Sequence, residues 1–154
     1  MFGLILSLVF VGLEMRQSQE IALSATYQAR AQIAAEINLV SSSTPEFTSA
    51  TAKLYAGEAS KITPQEMVAL EFNFGANMAL IENLHFQHES GFLPEEHWDR
   101  SMEDLRCFFS SEVYRNLLQG WEYRASFQLV IDERIESATK NPSCSWNASD
   151  TPVD

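Results

Sequence analysis

The sequence predicts an all-α fold: a bundle of about five helices whose long N-terminal helix begins as a membrane anchor. Three observations carry this. Apolar residues recur at steps of three and four along most of the chain, with no alternating strand pattern and no internal repeat. Helix-start signals punctuate it at Thr44-Pro45-Glu46, Thr63-Pro64-Gln65-Glu66 and Pro94-Glu95-Glu96. The opening run MFGLILSLVFVGL (1–13) carries no charge.

Composition bounds the rest. A chain of 154 residues, 45% hydrophobic and 20% charged, suffices for one folded domain and is too apolar for a disordered one. Ten basic against 21 acidic residues give a formal charge of −11. Such a surface repels phosphate backbones, which argues against nucleic acid as a partner and reads as solubility. The two cysteines form no disulfide framework. Cys107, in Cys107-Phe108-Phe109, reads as a buried thiol and Cys144 as an idle one, consistent with a reducing compartment. Asn147-Ala148-Ser149 matches a glycosylation acceptor, a pattern short enough to arise by chance.

As a helix, residues Met1 to Leu13 extend roughly 20 Å, short of the ~30 Å hydrocarbon core of a bilayer. A signal peptide needs a basic start and a small-residue cleavage site, and Glu14-Met15-Arg16-Gln17 supplies neither. A core helix needs one apolar face, whereas here every face is apolar. The reading adopted is a transmembrane helix, shortened by a late start codon or completed by tilt and bilayer thinning. Residues 1–15 are then the anchor, 16–140 the helical bundle and 141–154 a disordered polar tail. Arg16 is the basic residue nearest the anchor, so positive-inside logic puts the soluble part on the cytoplasmic side of a bacterial inner membrane.

The anchor runs on into an amphipathic helix ending near Val40, with Ala22, Thr26, Ala29, Ile33, Ile37 and Val40 at helical steps. Thr44 caps a short helix carrying Phe47, Ala50 and Leu54, which Gly57 stops. The capping box at Thr63 and Glu66 starts a long helix ending at Gly91. Pro94 begins another, with Trp98, Met102, Leu105 and Phe109 inward and Glu95, Glu96, Asp99, Glu103 and Asp104 in solvent. Ser110-Ser111-Glu112 starts a helix with Tyr114, Leu117, Leu118 and Trp121 inward. Ser126 caps the last, which carries Phe127, Val130, Ile131 and Ile135.

The run LVFVGLEMRQSQEIALSATYQA (8–29), the Pro-started short helix and IENLHFQHESGFLPEEHW (81–98) resemble a widespread group of uncharacterised bacterial membrane-anchored helical proteins. In that group an apolar anchor ends in a V-G-L-x-x-R-Q-like turn before a helical domain. Its third helix ends in a Phe/Ile-Glu-Asn…Gln…Gly segment ahead of an acidic, Trp-bearing helix start. The likeness covers nearly all of residues 4–138 and rests on structural motifs. It implies anchoring and fold but no chemistry, since the group has no established activity. It also implies an apolar segment that is normally longer upstream. Where this chain has His85 and His88 the group has aromatics, which implies no shared histidine-dependent site.

One constellation has the residue types for chemistry. At 100° per residue along 64–90, Met67, Leu70, Phe74, Met78 and Ile81 form one apolar arc. Val68, Phe72, Ala79 and Phe86 form a second, with Asn73, Asn77, Asn83 and Gln87 on the far side. Glu71, Glu82 and Glu89 fall between the two arcs and are expected to point inward, with His85 nearby. Glu82-Asn83-Leu84-His85 is a Glu-x-x-His unit of the di-iron kind, but no second copy accompanies it. Glu82, His85, His88 and Glu89 are therefore candidate metal ligands weighed against a buried polar network. In that network Arg30, Arg106, Arg115 or Arg124 would pair with the carboxylates. The network is the preferred reading, with no catalytic residue and no cofactor.

The functional expectation is a membrane-anchored, non-enzymatic interaction or accessory module with a protein partner or a second copy of itself. The alternatives are a metal-binding bundle using Glu82 and His85, and a soluble helical protein that dimerises through its apolar N-terminus.

Overall fold

A computed structural model describes residues 2–141, with side chains from Ser7 onward. The expected disordered tail lies outside the described residues, apart from Asn141. The described chain is all-helical, with no strand among the described residues. It divides into two units, one ending at Leu39 and one beginning at Val40.

The first unit is almost entirely one element, helix α1 (Phe2–Ser43), which runs on past the boundary. No residue from Ser7 to Val40 is buried. The expected inward stripe at Ala22, Thr26, Ala29, Ile33, Ile37 and Val40 is thus not a core face: Ile33 is 46% and Val40 63% exposed. Among the described residues no helix is long and apolar enough to cross a membrane, so the transmembrane reading of residues 1–15 finds no support there.

The second unit holds the core, in five α-helices that correspond to the five helix starts read after the first. They are α2 (Pro45–Tyr55), α3 (Pro64–Glu89), α4 (Glu95–Ser110), α5 (Glu112–Leu117) and α6 (Ala125–Lys140). Short 3-10 turns lie at Ala59–Lys61 and Leu118–Gly120. The helix ends follow local chemistry. Pro45 and Pro64 sit in first turns, where a missing N–H costs nothing. Gly57 and Gly91 take φ of +70° and +74° past the ends of α2 and α3, a backbone that other L-residues rarely adopt. One start signal holds without its side-chain bond and one shifts. Ser111 precedes α5 without a side-chain cap bond, and α6 is preceded by Arg124, which leaves Ser126 inside the first turn.

The core forms where α3, α4 and α6 meet, with α5 closing one end. Phe74, Met78 and Ile81 pack with Trp98, Met102, Leu105 and Phe109, and with Phe127, Ile131 and Ala138. Phe74 lies 5.5 Å from the Tyr114 ring, and Phe108 meets Tyr114 edge-on at 5.1 Å, tying α5 to α3 and α4.

The α3 phase departs from expectation. The first arc is inside, but Val68 (49%), Phe72 (73%) and Phe86 (52%) of the second are exposed. Instead the asparagine flank is half-covered: Asn73 donates to the Ser41 hydroxyl, and Asn77 to the Asn73 carbonyl. The buried line, Leu70–Phe74–Met78–Ile81–His85, is one helical stripe. The helices that pack on α3 cover that stripe and its asparagine side, leaving Val68 and Phe72 of the second arc exposed. Trp121 is the exception on the outer face. It leaves the 3-10 turn in an extended conformation and lies over Gly75.

Glu66 fixes the start of α3. Its carboxylate accepts from the Thr63 N–H (2.7 Å), from Ser49 (2.6 Å) and from Lys53 (2.6 and 2.7 Å), while its own N–H donates to Thr63 Oγ1 (3.3 Å). The capping box thereby also fastens α2 to α3 across a carboxylate only 6% exposed. Lys53 first, then Ser49 and the Thr63 N–H, hold the Glu66 carboxyl down at about 2.

Two outcomes follow. A folded-state value below the ordinary 4.5 contributes stability above pH 4.5 that is lost as the pH falls toward about 2. Denaturant titrations from pH 6 to 2 should show this acid loss in the native protein and a flatter profile in Glu66→Gln; parallel profiles would contradict the assignment. At position 75, helix propensity alone favours alanine over glycine by roughly 0.5–1 kcal/mol. A Cβ there would meet the Trp121 indole at 2.5 Å. Gly75→Ala should therefore lower Tm in the native background and raise it in Trp121→Ala, with a coupling of about 1 kcal/mol or more.

Candidate functional site

The last two turns of α3 carry the residues singled out for chemistry, and the fold spreads them over three environments. Glu71 is exposed on the outer surface. Glu82 and Glu89 lie at the edge of the packed stripe, with side chains 25% and 43% exposed. His85 alone of the set is buried, at 5% exposure. The inward row of carboxylates does not form, because the α3 stripe is centred on the Phe74–His85 side and the glutamates flank it.

Glu82 is held by Arg124, one of the four arginines proposed for it. Arg124 donates to Glu82 Oε1 from its backbone N–H (2.9 Å) and from Nε (3.2 Å), and to the Glu82 carbonyl from Nη2 (2.9 Å). Its guanidinium also covers the Phe86 ring, 5.3 Å from the centroid, and reaches to 3.9 Å from Glu89. These contacts secure the chain just before α6 against α3. The other arginines act elsewhere. Arg106 pairs with Glu103, Arg115 donates to the carbonyls of Phe109 and Ser110, and Arg30 lies 4.7 Å over the Tyr27 ring.

His85 sits between two aromatic rings, Trp98 of α4 at 5.4 Å and Phe127 of α6 at 5.3 Å. Its Nδ1 is buried without a hydrogen bond, 3.6 Å from Glu89 Oε2. Burial depresses the imidazole below its ordinary 6.5, with Arg124 and His88 acting the same way and Glu89 and Glu82 opposing them. His88 turns away. It stacks on Trp98 at 4.7 Å, and its Nε2 meets Glu95 at 3.0 Å. The four candidate ligands therefore do not converge on one point: Glu82 and Glu89 face Arg124, His85 Nδ1 lies near Glu89, and His88 turns to Glu95. Among the described residues no three His, Cys, Asp or Glu side chains are grouped to hold a metal ion.

The arrangement can bind and release a proton at a three-helix junction. Sequence reasoning missed Trp98 and Glu95 as partners of these histidines. It also missed Tyr123, whose hydroxyl is pushed up to about 12 by burial and then by Glu82. Trp98 was legible only as a core residue, since its apolar spacing does not reveal which polar rings it meets. One further expectation is overturned: Cys107 is half-buried and disulfide-bonded, so it is not a free buried thiol. The other cysteine, Cys144, lies outside the described residues.

A histidine whose folded-state value is depressed binds protons better when the chain unfolds, so stability is complete above about pH 6.5 and falls as the pH drops below it. Thermal melts from pH 7.5 to 5 should show that loss, and His85→Phe, which keeps an aromatic ring between Trp98 and Phe127, should remove it. An unchanged pH profile in His85→Phe would assign the loss to another group.

Compared with family models, curated proteins and solved structures, the chain matches none.

Proposed function

We propose that this protein is a membrane-associated helical module that docks other proteins and performs no catalysis of its own. The observation that carries the reading is the apolar arm of α1. Leu8, Val9, Phe10, Val11 and Leu13 are 51–67% exposed, on every side of the helix. An aqueous surface of that kind is costly, at ~25 cal/mol per Å² of apolar area, and entry into lipid removes that cost.

The arm enters the apolar part of a bilayer, where its apolar side chains leave water on every side of the helix. The acidic helical unit stays in water. Its contact surface is the outer side of α3, where Val68 and Phe72 stand exposed one helical turn apart, with Phe86 further along, half-covered by Arg124. A phenylalanine exposed outside the core, as Phe72 is, is of the residue type that interfaces use as anchors.

Flotation of the full chain with phospholipid vesicles tests the reading. The native chain should float and resist carbonate washing, whereas Leu8→Asp/Phe10→Asp should remain at the bottom with its helical content unchanged. A native chain that stays monomeric in detergent-free buffer and ignores vesicles would refute it. A lipid-independent dimer broken by the same substitutions would replace it with self-association through the arm.

A further inference from the structure

The outer side of α3 carries a line of residues that the core does not use. At 100° per residue Val68, Phe72, Gly75, Ala79 and Phe86 share one side of the helix, over a length of about 27 Å. Val68, Phe72 and Phe86 are 49%, 73% and 52% exposed. The middle of the line is low. Gly75 has no side chain and lies beneath the Trp121 indole, itself 40% exposed, and Ala79 is open to solvent. Next to it an open hollow of about 400 Å³ is lined by Ala79, Glu82, Asn83, Phe86 and Arg124. A low stretch between two phenylalanine rings suits the apolar side of a second helix, whose side chains enter the space that small residues leave.

The charge around the line selects among occupants. Glu71, Glu82 and Glu89 border it on one side at 100° per residue, and exposed Glu122 follows Trp121 in the chain. Arg124 reaches Glu82 at 3.2 Å and Glu89 at 3.9 Å, so four carboxylates are set against that one guanidinium. A second copy of the chain, with its formal charge of −11, would bring the same carboxylates against them, which repels. A lipid surface would have to cover Glu71 and Asn83 together with the rings, at a cost in lost hydration. A helix with basic residues beside its apolar side meets both the rings and the carboxylates.

We propose that the outer side of α3 docks an amphipathic helix of another protein, one that carries lysine or arginine along the edge of its apolar side. Phe72 and Phe86 flank the apolar side chains of that helix, Ala79 and the Trp121 ring lie between them, and Glu71 and Glu122 meet the basic edge. The inference rests on the docking role proposed above and gives that role a class of partner.

The test uses the full chain carrying Leu8→Asp/Phe10→Asp, so its outcome is separate from that of vesicle flotation. The probe is a synthetic helix of about 18 residues, enough to span the line, with leucine on one side and lysine on the other. A twin has glutamate in place of lysine. The lysine helix should bind one to one and shift the amide resonances of Val68, Phe72, Ala79 and Phe86 and the indole resonance of Trp121, and the glutamate twin should not. Phe72→Ser should weaken binding about tenfold or more without lowering Tm. Glu71→Lys/Glu122→Lys should weaken it as well and flatten its salt dependence, whereas the same charge change on α4, Glu96→Lys/Asp99→Lys, should leave it within about twofold. Equal weakening by the α4 pair would mean general attraction of a basic peptide and would overturn the proposal. So would no binding at millimolar peptide, or shifts confined to another surface, a mapping that needs no variant of α3. Self-association abolished by Phe72→Ser would give the face to a second copy, and vesicles alone shifting the Phe72 resonance would give it to lipid; either result overturns the proposal.

Discussion

Everything in the helical unit is arranged around one stripe of α3. Leu70, Phe74, Met78, Ile81 and His85 follow one another at steps of four, four, three and four, and they are the residues of that helix most fully withdrawn from water, with Glu66 and Gly75. α2 packs against its first half; α4 and α6 meet over its second. The phase of that stripe is set at its origin. Glu66 is at once the third residue of the capping box and the acceptor for Ser49 and Lys53 on α2, so the start of α3 and the seat of α2 are fixed by a single carboxylate. Such a carboxylate tolerates burial because four hydrogen bonds, from three donor groups, replace the water it loses.

The other end of α3 is held by a different kind of contact. Arg124 reaches the Glu82 carboxylate, the Glu82 carbonyl and the Phe86 face together, at a place about two-fifths open to solvent. A single exposed ion pair contributes little. Here the backbone N–H of Arg124 also donates to Glu82, which fixes the chain direction into α6. Beneath it, the buried His85 bridges Trp98 and Phe127 through ring contacts and leaves Nδ1 without a partner. A neutral imidazole fits that space better than a charged one. The junction is thereby a structural contact that responds to protons, built from the residues whose spacing first suggests a metal site.

α1 obeys a different rule. A helix of 42 residues with no buried side chain from Ser7 to Val40 owes its form to unbroken helix-permissive sequence and to internal contacts such as Arg16–Glu20 and Gln32–Glu36. Its apolar start and its amphipathic middle present side chains that find no core of their own. This is the feature that most directs attention to a lipid or protein surface.

What the sequence by itself determined is what depends on residues within four positions of one another. The helical class, the starts at Pro45 and Pro64, the capping box, the stops near Gly57 and Gly91, and the inward line of Trp98, Met102, Leu105 and Phe109 all belong here. Their hydrogen bonds and spacing are local, so their signals are local. Tertiary structure decided the rest. Spacing put both apolar arcs of α3 inward, and only the placement of α2, α4 and α6 kept one there and left Phe72 in water. The same choice moved Glu82 to the rim, buried His85 and gave Gly75 its reason in the overlying Trp121. The partner of Glu82 was legible only as one of four arginines, because chain spacing says which side chains share a face but not which distant segment comes to rest against it.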